Sequence, residues 1–118
     1  MAHKPATEKQ VEQFTSAVKM KLPKGFLDFY RKTNGGDIES EEQYLVIWRV
    51  QELVKLNKLY STEEFAPEFF LFGSDGGGTA FAIEKKSGHI FEMPFIGMGR
   101  DEAQLRAKSF SEFLDGFK

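Results

Sequence analysis

Phe69-Phe70-Leu71-Phe72-Gly73-Ser74-Asp75-Gly76-Gly77-Gly78-Thr79-Ala80-Phe81-Ala82-Ile83 is an apolar run that enters a glycine cluster and leaves it as an alternating run. Its natural reading is strand, loop, strand. Three consecutive glycines have no Cβ and reach positive φ freely, so the chain can reverse tightly there. Each glycine also loses much conformational entropy on folding, which means the turn needs that freedom. At least one of Gly76, Gly77 and Gly78 is therefore expected at positive φ. A phosphate-cradling loop would instead open a helix whose N–H groups meet the anion, and a Walker-type loop would add Lys and then Ser or Thr after its last Gly. Here Thr79 opens a strand-like segment with no Lys before it. A structural hairpin is favoured over a nucleotide site, and Asp75 fits an Asx turn inside it. Asp75, Gly76, Gly77 and Gly78 thus form a loop with a structural or a binding role.

Downstream, Phe81 and Ile83 alternate with the small Ala80 and Ala82, Ser87-Gly88 offers a turn, and Phe91, Met93 and Phe95 alternate on a returning strand. Pro94 has no N–H, which predicts that this strand lies at an edge or breaks at a bulge. Gly97 and Gly99 close the sheet region, and Asp101 to Lys108 fits a helical turn or a loop. Ser109 and Glu112 have capping-box spacing, and Phe110, Phe113, Leu114 and Phe117 make the stripe of a final helix. Upstream, Thr7 and Gln10 form another capping box, and Val11, Phe14, Val18 and Leu22 follow one face, predicting a helix over about 7–20. Pro23 suits the first turn of a second helix carrying Phe26, Phe29 and Tyr30, which Asn34-Gly35-Gly36 stops. Tyr44 to Trp48 reads as a strand. Val50, Leu53, Val54 and Asn57 return to a helical period that ends near Leu59 or Tyr60.

A chain of 118 residues with 41% hydrophobic content can bury one core and is too short for two ordinary domains. Its 13 Phe make that core aromatic, each buried ring bringing about 150–250 Å². Cysteine is absent, which excludes thiol catalysis and Cys-rich zinc sites and fits a reducing cytosol. No apolar run approaches the roughly 18 residues of a membrane span, and Met1 to Ala6 lack the apolar core of a secretory signal. A soluble cytoplasmic protein is expected, with residues 1–6 as a flexible tail.

Charge is unevenly placed behind a net value of −2. Residues 1–34 hold seven Lys or Arg against three Asp or Glu, residues 37–68 hold three against eight, and residues 69–118 six against seven. The basic opening is spread over amphipathic segments without interleaved aromatics, which argues against nucleic acid. Asp37, Glu39, Glu41 and Glu42 could steer a basic partner; a solvated loop is the plainer reading of the same four residues.

Catalytic constellations are poorly supported. His3 and His89 stand far apart, one in the opening segment and one after a turn, so no metal site is expected. Ser74 and Asp75 have no sequence signature of an orienting His or an oxyanion helix, and Glu41-Glu42 and Glu63-Glu64 are the acidic pairs common to solvated segments. No catalytic residue and no cofactor are assigned.

Leu22-Pro23 before an aromatic helix, closure at Asn34-Gly35-Gly36, a strand ending in Trp48, a helix with Asn57 and Tyr60, the loop Gly73 to Gly78, the turn Ser87-Gly88 and the final Ser109-Phe110-Ser111-Glu112-Phe113-Leu114 together resemble the SUKH superfamily in its Smi/Knr branch. The resemblance spans nearly the whole chain, although each motif alone is unspecific. It implies a single α+β domain over 1–118, with a curved, mainly antiparallel sheet packed by N-terminal, central and C-terminal helices. It also implies a non-catalytic bacterial immunity protein that binds and neutralises a polymorphic toxin, while fungal relatives act as scaffolds in cell-wall signalling. The chain departs from many members in being short and in lacking a long acidic tail. Three readings follow: an antitoxin module, an interaction scaffold, and a small-ligand or nucleotide binder using the glycine loop. The first is preferred, with a cognate protein toxin as partner, no nucleic acid and no membrane.

Overall fold

Alternating side chains of unequal size decide how the quoted stretch packs. The computed structural model describes residues 3–20 and 22–117. In it β3 (Phe69–Ser74) and β4 (Thr79–Glu84) pair antiparallel, with Phe70 opposite Ile83 and Leu71 opposite Ala82. Around this hairpin lie β1 (Gly36–Glu39), β2 (Tyr44–Ile47), β5 (Ile90–Pro94) and β6 (Gln104–Ala107). The six strands form one sheet in the order β1-β2-β3-β4-β5-β6, every neighbouring pair antiparallel. The helices are α1 (Glu8–Ala17), α2 (Phe26–Lys32), α3 (Leu53–Leu59), α4 (Thr62–Phe65) and α5 (Phe110–Asp115). This is the α+β class that the sequence predicts.

Successive residues of a strand face opposite ways, so large and small residues sort between the two faces. Phe70, Phe72, Phe81 and Ile83 join Leu45, Ile47 and Ile90 in the main core, covered by Val11 and Phe14 of α1, Phe26 and Tyr30 of α2, and Phe110 and Phe113 of α5. The rings meet edge to face, Phe26 on Phe110 at 5.1 Å and Phe72 on Phe113 at 5.5 Å between centroids. That geometry sets positive ring edges against negative faces. Opposite, Phe69, Leu71, Ala80, Ala82 and Met93 form a smaller cluster closed by Ala66 and Met98. With only alanines at 80 and 82, this second face is shallow.

Three buried polar side chains satisfy backbone groups where β2 leaves the sheet. β2 pairs with β3 only at Val46–Ser74 and Ile47–Gly73, after which the Trp48 N–H reaches the Phe72 carbonyl at 3.0 Å. Beyond that point Asn57 of α3 takes over: its Oδ1 accepts the Leu71 N–H and its Nδ2 donates to the Leu71 carbonyl, both at 2.8 Å. Nδ2 also reaches the Leu53 carbonyl at 2.8 Å. Asn34 Oδ1 accepts the Val50 N–H at 2.8 Å, and the Tyr30 hydroxyl donates to the Trp48 carbonyl at 2.6 Å. Burial, reinforced by the nearby Glu52 carboxylate, raises the Tyr30 pKa well above the usual phenol range and keeps it a donor.

Several boundaries differ from those read in the sequence. Pro23 does not begin α2: its carbonyl receives the Phe26 N–H at 3.1 Å in a turn, and the helix starts at Phe26. Pro94 lies on an interior strand, because β6 adds outside β5. It is tolerated as the last residue of β5, since pairing to β6 has already ended at Glu92–Gln104. The irregularity in that pair falls at Ile90–Phe91 instead. Asp101 to Lys108 resolves into a 3₁₀ turn ending at Glu102, followed by β6. The Thr7–Gln10 capping box forms in both directions, whereas at α5 Ser109 Oγ accepts the Glu112 N–H but the Glu112 carboxylate turns to Lys108 N. β1 and α4, four residues each, carry too few residues for a periodicity to register. Residues 3–6, expected to be loose, are stitched down by Ala6 N–H to the Tyr30 carbonyl and Asn34 N–H to the Lys4 carbonyl, at 2.8 and 2.9 Å. Met1 and Ala2 of that tail lie outside the described residues.

Arg100 staples the ends of β3 and β4, bonding Glu84 and Glu68 and lying over the Phe69 ring at 5.1 Å. A hydrogen bond from Ser87 Oγ, with Arg100 second, lowers the Glu84 pKa. A carboxyl whose folded pKa lies below its unfolded value near 4.3 adds stability above that value and loses it as pH falls through the folded pKa. Glu84→Gln should therefore destabilise at pH 7, and the gap to the parent chain should close as pH falls through the lowered Glu84 pKa, as read from urea midpoints across pH. A gap that stays constant over the whole range would refute the ionic role of Glu84. Asn57→Ala, which strands the Leu71 N–H and carbonyl in the interior, should lower stability by about 2–4 kcal/mol. Chemical denaturation checks this, and a loss below about 1 kcal/mol would mean that water replaces the side chain.

Candidate functional site

The glycine loop closes the β3–β4 hairpin by side-chain acceptance. Asp75 Oδ1 accepts the Gly77 and Thr79 N–H groups at 2.8 and 3.2 Å, and Ser74 Oγ accepts the Gly76 N–H at 3.1 Å. Asp75 is thus occupied as the Asx-turn acceptor read from the sequence. Of the three glycines only Gly76 has positive φ, at +83°. A Cβ there would stand 2.6 Å from the Tyr44 ring, whereas at Gly78 it would meet nothing within 4 Å. Gly73 is held by a different constraint, since a Cβ there would lie 2.3 Å from the Val46 carbonyl oxygen where β2 and β3 touch.

Because Tyr44 packs over Gly76, the β1–β2 hairpin is drawn against the loop. Between them opens a groove of about 460 Å³ lined by Glu39, Glu41, Glu42, Tyr44, Asp75 and Thr79 on its walls. Phe81, Phe117, Glu92 and Arg106 also line it. Three of the four acidic residues singled out in the sequence therefore meet Asp75 at one site. The fourth, Asp37, is also exposed but turns to Tyr44, accepting its hydroxyl at 2.8 Å. That bond, with the added repulsion of Asp37 and Glu39 on a phenolate, raises the Tyr44 pKa. Asp37 and Glu39 belong to β1, an edge strand and not the solvated loop of the plainer reading.

The one cation among the described residues of the groove is already engaged. Arg106 pairs with Glu92 at 3.0 Å, and its guanidinium lies 5.3 Å from the Phe81 centroid and 5.6 Å from that of Phe117. Stacking on rings suits the weakly hydrated guanidinium and fixes it as part of the floor. The groove thus offers uncompensated carboxylates on an aromatic base.

Across the same loop a second hollow, about 480 Å³, is lined by Trp48, Tyr60, Phe95, Ile96, Pro94, Ser74 and Gly76 to Gly78. Trp48 and Tyr60 stack at 6.1 Å with planes 15° apart, and Tyr60 and Phe95 approach to 4.6 Å. Sequence reading placed Trp48 and Tyr60 on separate elements and did not join them. Ile96, two residues after Pro94 and just before Gly97, was the one available signal, an apolar residue at a turn, and it is 94% exposed.

Catalytic alternatives gain little from the geometry. His3 Nδ1 lies 3.2 Å from Arg49, while His89 follows the β4–β5 turn, its N–H bonded to Ser87 Oγ. Among the described residues no group of three or more His, Cys, Asp or Glu could hold a metal ion. No helix among them is long and apolar enough to cross a membrane.

Gly76→Ala should destabilise by about 1–3 kcal/mol, because an L-residue is strained at that φ and its methyl group displaces Tyr44. Gly78→Ala should leave stability unchanged or raise it by up to about 1 kcal/mol. Equal urea midpoints for the two variants would contradict this division of labour.

A comparison with curated proteins found no match. Against family-level sequence models, residues 5–116 match the SMI1 / KNR4 family (SUKH-1), which takes in every element from α1 to α5. With nearly its whole length matched, the chain belongs to the SMI1 / KNR4 family (SUKH-1).

Proposed function

We propose that this protein is an immunity module of the SUKH type, which neutralises a protein toxin by binding it and performs no chemistry of its own. The observation that carries the reading is family membership over residues 5–116. The arrangement of charge supports it. Glu39, Glu41 and Glu42 are exposed, and among the described residues of the groove the only countercharge is Arg106, which is already held by Glu92. Such a face suits a basic patch around the active site of a nucleic-acid-cleaving or similarly anion-binding toxin, either covering its catalytic groups or holding them inactive. Exposed rim charges speed encounter more than they hold the complex together.

Co-expression with the toxin encoded in the adjacent reading frame tests the reading directly: survival is the expected result, and undiminished killing would overturn immunity. The acidic face has its own test. Reversing Asp37, Glu39, Glu41 and Glu42 to Lys should slow association about ten- to a hundredfold at low salt and flatten its salt dependence. Stopped-flow association at two ionic strengths measures this. Unchanged rates with full protection would remove the acidic face and leave immunity standing.

A further inference from the structure

The acidic groove can guide a partner, but fully solvated carboxylates supply little of the free energy that retains one. Retention needs desolvated apolar contact, and interface hot spots are enriched in Trp, Tyr and Arg seated in pockets from which water is excluded. The hollow across the glycine loop has that composition: Trp48, Tyr60 and Phe95 form a stacked wall, Ile96 projects beside them, and none of its lining residues is charged. We propose that this aromatic hollow is the anchoring half of a two-part docking surface, receiving an apolar or aromatic side chain from a basic protein partner whose cations lie in the acidic groove.

Three observations select that occupant. The two hollows share one ridge, since Asp75 and Thr79 line the acidic side and Ser74 with Gly76 to Gly78 the aromatic side. A single partner segment can therefore straddle the loop. The ridge is low, because three successive residues carry no side chain and Cβ positions at Gly77 and Gly78 meet no backbone within 4 Å. A second copy of this chain does not fit, because a symmetric contact here would bring two sets of Glu39, Glu41 and Glu42 together, and juxtaposed like charges are costly in an interface. The same carboxylates repel an anionic lipid surface. A basic partner gains from both halves.

This inference rests on the immunity reading only in identifying the partner as a toxin, so its test uses defined probes as well. Trp48 is the only tryptophan and lies in the hollow, which makes its emission a local reporter. The probes are two capped peptides with lysines on both sides of a central residue, phenylalanine in one and serine in the other. The phenylalanine peptide should bind about tenfold more tightly, a difference of about 1.4 kcal/mol. It should shift Trp48 emission and the amide resonances of Gly76 to Gly78. Ile96→Ser, at a position too exposed to disturb folding, should abolish the preference, whereas Glu39→Lys with Glu41→Lys and Glu42→Lys should weaken both peptides alike. Equal binding of the two peptides, no response of Trp48 to either, or a preference that survives Ile96→Ser would each overturn the proposal. With the cognate toxin, Ile96→Ser should raise the dissociation rate about tenfold and leave the association rate alone. A parental dissociation rate would discard the anchoring hollow while protection in cells still upheld immunity.

Discussion

The fold turns on one side chain, Asn57, whose amide does for Leu71 what a neighbouring strand does elsewhere in the sheet. Six strands in sequential order would normally keep pairing along their lengths. Here β2 leaves β3 after two paired residues, and a buried backbone left without partners would cost about 1–3 kcal/mol for each group. By accepting one bond and donating two, Asn57 satisfies the strand and ties α3 to it. The departure of β2 is what carries Trp48 away from the ladder toward Tyr60 and Phe95. Asn57 and Tyr60, three residues apart on α3 and its cap, thus place the strand's replacement partner and one wall of the aromatic hollow on the same helix.

A second constraint works at the loop. Gly76 is required twice over, by its positive φ and by the Tyr44 ring in the space where a side chain would stand, and Tyr44 is held in turn by Asp37. Backbone conformation, an aromatic contact and a surface hydrogen bond therefore form one chain of dependence that joins the edge hairpin to the central one. Both grooves border on it. Their chemistry differs because the strands on either side present different residues: carboxylates from the β1–β2 turn, and apolar residues from the segments that follow β2 and β5. Separate encounter and anchoring surfaces allow charge to set the rate of association and apolar contact to set its lifetime.

Elements with a long or doubly marked pattern were readable in advance. The β3–β4 hairpin, the capped α1, the aromatic stripe of α5 and the return to helical period at Val50 all announce themselves within a dozen residues, because each rests on local periodicity or on a cap three residues away. β1 and α4 did not, since four residues fit any period. β6 carries exposed Gln104, Leu105 and Arg106, so its identity comes from pairing with β5 and not from its own composition. Pro94 was misjudged for a related reason. The sequence shows a missing N–H, but whether that N–H faced a neighbour depends on where β6 stops.

What the amino-acid order determined by itself is the class of the molecule: one aromatic core, a glycine-closed hairpin at its centre, helices at both ends, and an acidic stretch before the middle strand. Those properties follow from side-chain volume, backbone freedom and charge, each of which is local to a few residues. Only the tertiary structure decided which of them meet. It set Glu39, Glu41 and Glu42 beside Asp75, brought Trp48 onto Tyr60 and Phe95, and made one glycine of three indispensable. Such meetings depend on strand register and on the single point where β2 leaves the sheet. A one-residue slip would turn every side chain to the other face, and no local pattern records that choice.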